Sequence, residues 1–331
     1  MCQKFHEKPI THKNTAYLKG QIKMLSRKSV LIAIVLITGL FLVACQPAAP
    51  ATVEPAADTS PITIGVSLPL SGTRGEAGLA ARQGYETWVA MVNEAGGLLG
   101  RQIELTVLDN ASDPEIVVTD SEKLINEDNV DLVVGTQSSG LVIPSSEVAA
   151  KYGYAYVEPA GGAPGVFDRG LTNIFFAQPA VSARQADPFA LYLLGLSADI
   201  RPKTFALVYN AEDPFVVGVM DRLKGLLVDG GLEMVYESTY AEGETEFGDV
   251  ANELVSLNPD LYIGGTQLDD CVAQINAYQA VGYQPRFAYF TSGPSNPGPF
   301  RQALGSATQG IFTSVGWSPE ANGHQNSEFT A

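Results

Sequence analysis

Side chains able to do covalent chemistry are scarce in this sequence. Three histidines occur, His6, His12 and His324. Acyl transfer by a Ser-His-Asp set needs a histidine beside a serine on a sharp strand-to-helix turn. After residue 44 only His324 remains, and no G-x-S-x-G stretch exists to pair with it. Gly135-Thr136-Gln137-Ser138-Ser139-Gly140 comes nearest and has the wrong spacing. No His/Cys set stands at metal-ligand spacing, and neither a G-x-x-x-x-G-K-[ST] phosphate loop nor a G-x-G-x-x-G after a strand is present. These absences point away from common enzymes and toward a protein that binds without reacting and carries no cofactor.

Two loops have the chemistry of a binder. The apolar run VDLVV (130–134) leads into GTQSSG and then a helical stretch. Free N–H groups at such a helix start attract an anion, and the hydroxyls of Ser138 and Ser139 add donors; a plain helix cap is the competing use of a serine there. The run YAYV leads into Glu158-Pro159-Ala160-Gly161-Gly162-Ala163-Pro164, a loop so poor in side chains that another molecule could approach its backbone. Both loops follow strands, and open α/β sheets bind ligands at the carboxyl ends of their strands. A small anion is the class of ligand this pair of loops suits.

The elements that must carry these loops alternate. Strands are expected at 62–68, 103–108, 130–134, 154–157, 204–209, 232–238, 261–265, 286–290 and 310–315. Helices are expected at 80–93, from Asp113-Pro114-Glu115 onward, and near 140–151, 183–194, 215–229, 246–257 and 269–281. Asp113 followed by Pro114 reads as an N-cap with proline at the first helical position. Strand–helix–strand units at this spacing give parallel sheets, and this number of strands suggests two of them.

The ends set the compartment. Lys19, Lys23, Arg27 and Lys28 precede the uncharged apolar run Val30–Val43, which is short for a bilayer span and suits a secretory h-region. It ends in Leu42-Val43-Ala44-Cys45, the lipobox pattern, with Cys45 as the lipidated residue. Residues 1–44 thus read as a lipoprotein signal with an N-terminal extension, and the Ala/Pro-rich 45–61 as a tether too apolar-poor to bury a core. Cys271 then has no disulfide partner, so a hydrophobic core must hold the fold. Residues 1–44 hold seven Lys/Arg and one Glu, so their removal takes the net charge from −16 to −22. That surface excludes nucleic acid as a partner.

From Ile62 to the end the chain resembles the type 1 periplasmic binding proteins, in the leucine/isoleucine/valine-binding branch. The matching runs are IGVSLPLSG, ARQGYETWVAMVNEAGGLLGRQIELTVLDNASDP, VDLVVGTQSSG, AKYGYAYVEP, EGETEFGDVANEL and GIFTSVGWSP, in that order and spacing. The resemblance implies an α/β fold of two Rossmann-like lobes with parallel sheets and a hinge. Lobe one would be 62–179, lobe two 180–313, and 314–331 would return to lobe one. Family members continue past this point, so the end of lobe one is expected to be missing. The implied function is capture of a small solute, an amino acid in the first instance, by a lipid-anchored, extracytoplasmic component of an ABC importer. Its partners would be permease subunits and, through the lipid anchor, the membrane; a receptor sensing amides or small carboxylates on the same fold is the alternative.

The resemblance also implies a site. Ser138 or Ser139 stands where the family holds the ligand carboxylate. Ala160 stands where a backbone carbonyl meets the ammonium, followed by Gly161 and by Gly162 in place of a threonine. Ala77 replaces an aromatic residue and Phe215 a tyrosine, and a second tyrosine falls at Thr266 or Gln267. The ammonium-binding glutamate falls at Thr291–Gly293, which holds no acid. A buried ammonium needs a counter-charge. Asp270 is therefore expected to supply it, with Asp269 turned away on the helix and Trp317 lining the cleft.

Overall fold

Residues 58–316 are described in the computed structural model, and they form two successive runs of strand and helix. The first run is β1 (Ile62–Leu68), α1 (Gly75–Glu94), β2 (Ile103–Asp109), α2 (Pro114–Asn126), β3 (Leu132–Val134), α3 (Ser139–Lys151), β4 (Tyr156–Glu158), α4 (Pro164–Phe167) and β5 (Ile174–Phe176). Two short helices follow, α5 (Ser182–Gln185) and α6 (Asp187–Gly195). The second run is β6 (Thr204–Asn210), α7 (Pro214–Asp229), β7 (Glu233–Tyr240), α8 (Gly248–Leu257), β8 (Leu261–Gly265), α9 (Leu268–Ala280), β9 (Phe287–Phe290), α10 (Pro297–Leu304) and β10 (Ile311–Phe312).

Each run makes its own five-stranded sheet. The orders are β2-β1-β3-β4-β5 and β10-β9-β8-β6-β7, and every pair is parallel. Read from the other edge, the second order repeats the first. In both sheets the first strand of the run lies inside, with the second strand on one flank and the third on the other. Such a reversal opens a crevice at the carboxyl ends of the inner strands. It therefore places the loops after β1 and β3, and those after β6 and β8, at the two binding edges.

The second sheet is sealed on both faces. Along β6, Phe205 and Leu207 pack with Val216, Met220, Leu223 and Tyr289 on one side, while Ala206 and Val208 pack with Tyr262, Ile275 and Phe290 on the other. Side chains alternate across a strand, so a strand apolar at every position must be covered twice. The first sheet is less completely covered. Val133 and Tyr156 are buried, but Leu132, Val157 and Phe175 are 42%, 45% and 53% exposed.

Local sequence explains most element starts. Asp113 caps α2 by accepting from the N–H groups of Glu115 and Ile116, with Pro114 behind it, as expected. Asp213 and Pro214 start α7 in the same way, the carboxylate accepting from Phe215 and Val216. Several boundaries differ from expectation. The helix expected over 183–194 is two, because Pro188 lacks an N–H and the turn at Ala186 breaks the ladder. The strand expected over 310–315 pairs only at Ile311–Phe312 before the chain leaves the sheet. The expected strand 130–134 narrows to Leu132–Val134, and 154–157 shifts to Tyr156–Glu158. Strand β5 and helix α10 were not foreseen. The first is three residues long, too short for a period to show, and the second has the Asn296-Pro297 start that the Asp113-Pro114 signal already exemplifies.

Candidate ligand cleft

The loop after β3 holds unspent polar groups. Ser138 sits at φ 81°, outside the region most non-glycine residues adopt, and is 4% exposed. It is the N-cap residue of α3, yet its side chain makes no capping bond, and its Oγ has no partner among the described residues. Gln137 Oε1 beside it is also buried and unpartnered. Ser139 is differently engaged: its Oγ accepts the N–H of Ala163 at 3.0 Å and so ties this loop to the next.

The loop after β4 is organised by a residue that sequence reasoning passed over. Glu158 is fully buried, and its Oε2 accepts the N–H groups of Ala160, at 2.9 Å, and Gly161. Its Oε1 has no partner. Burial pushes its carboxyl above the ordinary range, and the two N–H bonds only partly offset this. The glycines of this loop also have a packing reason. A Cβ on Gly161 would lie 2.7 Å from Val142 of α3, and one on Gly162 would lie 3.1 Å from the N–H of Ser182. The close neighbour of each glycine is the protein's own chain; Ala160 is half-buried, whereas Gly161 and Gly162 are buried.

On the second sheet the residues are bound into one polar network. Asp213 Oδ2 accepts from Gln267 Nε2 at 2.8 Å. Gln267 is the N-cap of α9, and Asp270 Oδ1 accepts its N–H at 2.7 Å in a reciprocal capping box. Asp270 Oδ2 accepts from Tyr240 Oη at 2.7 Å. Asp270 is therefore a buried acid whose two oxygens are already occupied, its carboxyl raised by burial against three hydrogen bonds from Tyr240, Gln267 and Cys271. Asp269 is the exposed one. The capping box turns the third helical residue back over the helix start, so Asp270 is held within its own lobe while Asp269 faces outward, and both line a cavity. Thr291 is also occupied: its Oγ1 accepts from Thr266 N and donates to Thr266 O, both at 2.8 Å, locking β8 to β9. Phe215 packs against the second sheet's core.

Two cavities open at these edges. One of about 150 Å³ is lined by Gly72–Ala77 after β1, Gln137 after β3, Gln267–Asp269, and Ser292, Gly293, Ser295 and Asn296. The other, about 130 Å³, is lined by Thr73, Asn210, Glu242–Thr245, Gln267, Asp269 and Asp270. They share Thr73, Gln267 and Asp269. Of the expected site residues, Gln267 and Asp270 line a cavity, as does Ala77. Ser138, Ser139, Ala160, Gly161, Gly162, Phe215 and Thr291 are not among the residues that line these two cavities. Cys45 and Trp317 lie outside the described residues.

Both sheets thus present the carboxyl ends of parallel strands to cavities that each sheet lines in part. A family model described as periplasmic binding protein matches residues 61–331. The chain belongs to the periplasmic binding protein family. Among curated relatives, the Leu/Ile/Val-binding protein BraC3 of Rhizobium johnstonii is 32% identical over 205 residues, covering 62% of this chain and 54% of that protein. The chain spans about half the length of that relative. Among solved structures, the branched-chain amino acid transporter substrate-binding protein LivJ of Streptococcus pneumoniae, in complex with isoleucine, superposes with a TM-score of 0.72 at 20% identity, over 81% of this chain and 75% of that one. A solute-binding protein of an ABC transporter from R. palustris, in complex with benzoate, gives 0.69 at 22% identity over 81% and 72%. At such identities the likeness establishes the fold: two parallel α/β lobes of the type 1 periplasmic binding protein kind.

Arg74 is the member of the cleft that the sequence pattern did not single out. It ends the short 3₁₀ turn Gly72–Arg74 after β1 and is 8% exposed. Its guanidinium bonds Glu242 and stands 3.5 Å from Asp213, both on the second lobe. The available signal was a basic residue after an inner strand of an acidic chain, a position where a reversal in strand order builds sites.

Proposed function

We propose that this protein captures a small carboxylate-bearing solute, an amino acid in the first instance, between its two lobes. The observation that carries this reading is a set of buried, unspent polar atoms at the binding edge of lobe one: the hydroxyl of Ser138 as a donor to a carboxylate, the acceptors Gln137 Oε1 and Glu158 Oε1 suited to an ammonium, and Ser182 Oγ just beyond β5. Buried polar groups are normally paired, so unspent ones gathered along three neighbouring loops suit a polar ligand. Ser138 holds a strained backbone while leaving its hydroxyl free, a combination that serves a site better than a fold. The ligands named with the two solved structures, isoleucine and benzoate, share a carboxylate. Asp269, open to both cavities, is the acid available to an ammonium.

Capture would draw the lobes together by favouring the closed form, and the closed form would deliver the solute to ABC permease subunits outside the cytoplasmic membrane. Cys45 would carry the lipid that keeps the protein at that membrane, so Cys45→Ser should abolish incorporation of labelled fatty acid.

The test of the ligand class is a thermal-shift screen of the full-length protein against amino acids, aromatic acids and their amides and methyl esters. A true ligand at a hundred times its Kd should add about 2.7 kcal/mol of stability. A carboxylic acid is expected to stabilise where its methyl ester does not. Equal stabilisation by acid and ester, or by none of the acids, would overturn the reading.

A further inference from the structure

The two lobes are joined across the cleft by charge. Arg74, on the loop after β1, lies 168 residues from Glu242, on the loop after β7. Its Nη1 bonds Glu242 Oε1, and its Nη2 bonds Glu242 Oε2 at 3.2 Å. Thr73 Oγ1 adds a bond to Glu242 Oε1 at 2.7 Å. Nη2 also stands 3.5 Å from Asp213 Oδ2. The side chains are 7% exposed for Arg74, 0% for Asp213 and 33% for Glu242. A planar guanidinium can engage two carboxylates at once in a way an ammonium cannot.

These contacts are separable from the fold of either lobe. Asp213 is already satisfied within lobe two by Phe215 N, Val216 N and Gln267 Nε2. Withdrawing Arg74 therefore returns a cation to water and leaves lobe two intact. With the lobes together, removing Arg74 leaves a fully buried carboxylate facing an uncharged gap, which is strongly disfavoured. The cost falls on the closed arrangement alone.

We propose that Arg74, Glu242 and Asp213 form an ionic latch that holds the cleft closed in the absence of solute and so sets the protein's apparent affinity. The proposal rests on the two sheets acting as lobes that close. Apparent affinity scales with the fraction of molecules in the binding-competent form. Arg74 is a positioning residue in this scheme: it tunes capture by any solute, because its partners are protein carboxylates.

The test needs no solute, which keeps it apart from the identity of the ligand. Small-angle scattering of the ligand-free full chain is compared for the wild type, Arg74→Ala, Arg74→Lys, Glu242→Gln and the double variant Arg74→Ala/Glu242→Gln. The expected result is a larger radius of gyration for Arg74→Ala and Glu242→Gln, an intermediate one for Arg74→Lys, and a double variant no more open than the Arg74→Ala single. Circular dichroism establishes that each variant is folded; should Arg74→Ala fail, Arg74→Lys and Glu242→Gln carry the comparison. An unchanged radius in the folded single variants, or full additivity in the double, would overturn the latch.

Discussion

The two lobes share one strand order and differ in how it is sealed. In lobe two, β8 is buried at all five positions, and β6 at five of seven. In lobe one the inner strand β1 is buried at six of seven positions, but β3, the counterpart of β8, is buried at one of three, and only Gly78 is buried along the 20 residues of α1, against six residues of α7. Shared topology puts a binding edge in the same place on both lobes, but burial decides what each edge can hold. Lobe two carries a closed network in which Asp213, Gln267, Asp270 and Tyr240 satisfy one another. Lobe one carries the unspent atoms of Gln137, Ser138 and Glu158. On the proposed function, lobe two would offer a pre-satisfied wall and lobe one the hydrogen bonds.

The comparison can be broken most sharply in the cores. Leu207, fully buried on β6, should lose about 2–5 kcal/mol of stability as Leu207→Ala, through lost transfer energy and a residual cavity. Phe175→Ala in lobe one, at 53% exposure, should change stability by only about 0.5 kcal/mol. Urea unfolding of both variants checks this, and similar losses would mean that the first sheet is better covered than its exposure indicates.

The two edges should separate next. Ser138→Gly relieves a positive φ and should raise stability by about 1 kcal/mol, yet remove the free hydroxyl and weaken carboxylate binding about tenfold or more. Calorimetric titration with the acid found by screening, together with thermal melting, reads the opposite signs. Movement of both quantities in one direction would show Ser138 to be structural only.

Adjacent acids sharpen the contrast within lobe two. Asp270→Asn should cost about 0.5–2 kcal/mol by loosening the start of α9 and the Tyr240 bond. Asp269→Asn should leave stability unchanged and weaken binding of an ammonium-bearing ligand alone. The same titrations distinguish them, and a binding defect confined to Asp270→Asn would restore that residue as the ligand acid.

The smallest expected effect is in pH, and its sign differs between lobes. Glu158 is held above the ordinary carboxyl value of 4.5, so the folded form keeps a proton the unfolded chain has released. Its contribution is present below that value and is lost as pH rises through the raised one. Glu242 behaves in reverse. Burial pushes it up, but the bonds from Arg74 and Thr73 outweigh this and hold it below 4.5. Its contribution is present above 4.5 and is lost as pH falls through the lowered value. Melting temperatures across the acid range should show Glu158→Gln flattening the loss on the alkaline side and Glu242→Gln flattening the loss on the acid side. Parallel curves for both variants and the wild type would remove the distinction.

Much of the fold was legible in the chain because its signals are local. Apolar runs such as ITIGVSL and LYIGG, and caps such as Asp113-Pro114, act within one strand or one helical turn. They determined the alternation of strand and helix and the two sheets. The scarcity of histidine pointed away from catalysis, and serines after a strand marked an edge where a carboxylate could bind. The hydrogen bonding of Asp270 within its own lobe was not legible: a residue's direction at a helix start depends on whether its carboxylate reaches back to the Gln267 N–H and across to Tyr240. That the glycines of the loop after β4 make room for Val142 and Ser182 was not legible either, since both neighbours are distant in sequence. Arg74 meeting Glu242 lay furthest out of reach. Each lobe is built by its own short-range rules, and no period in the sequence encodes how two finished units face one another; only the tertiary structure brings a cation on one to the carboxylates of the other.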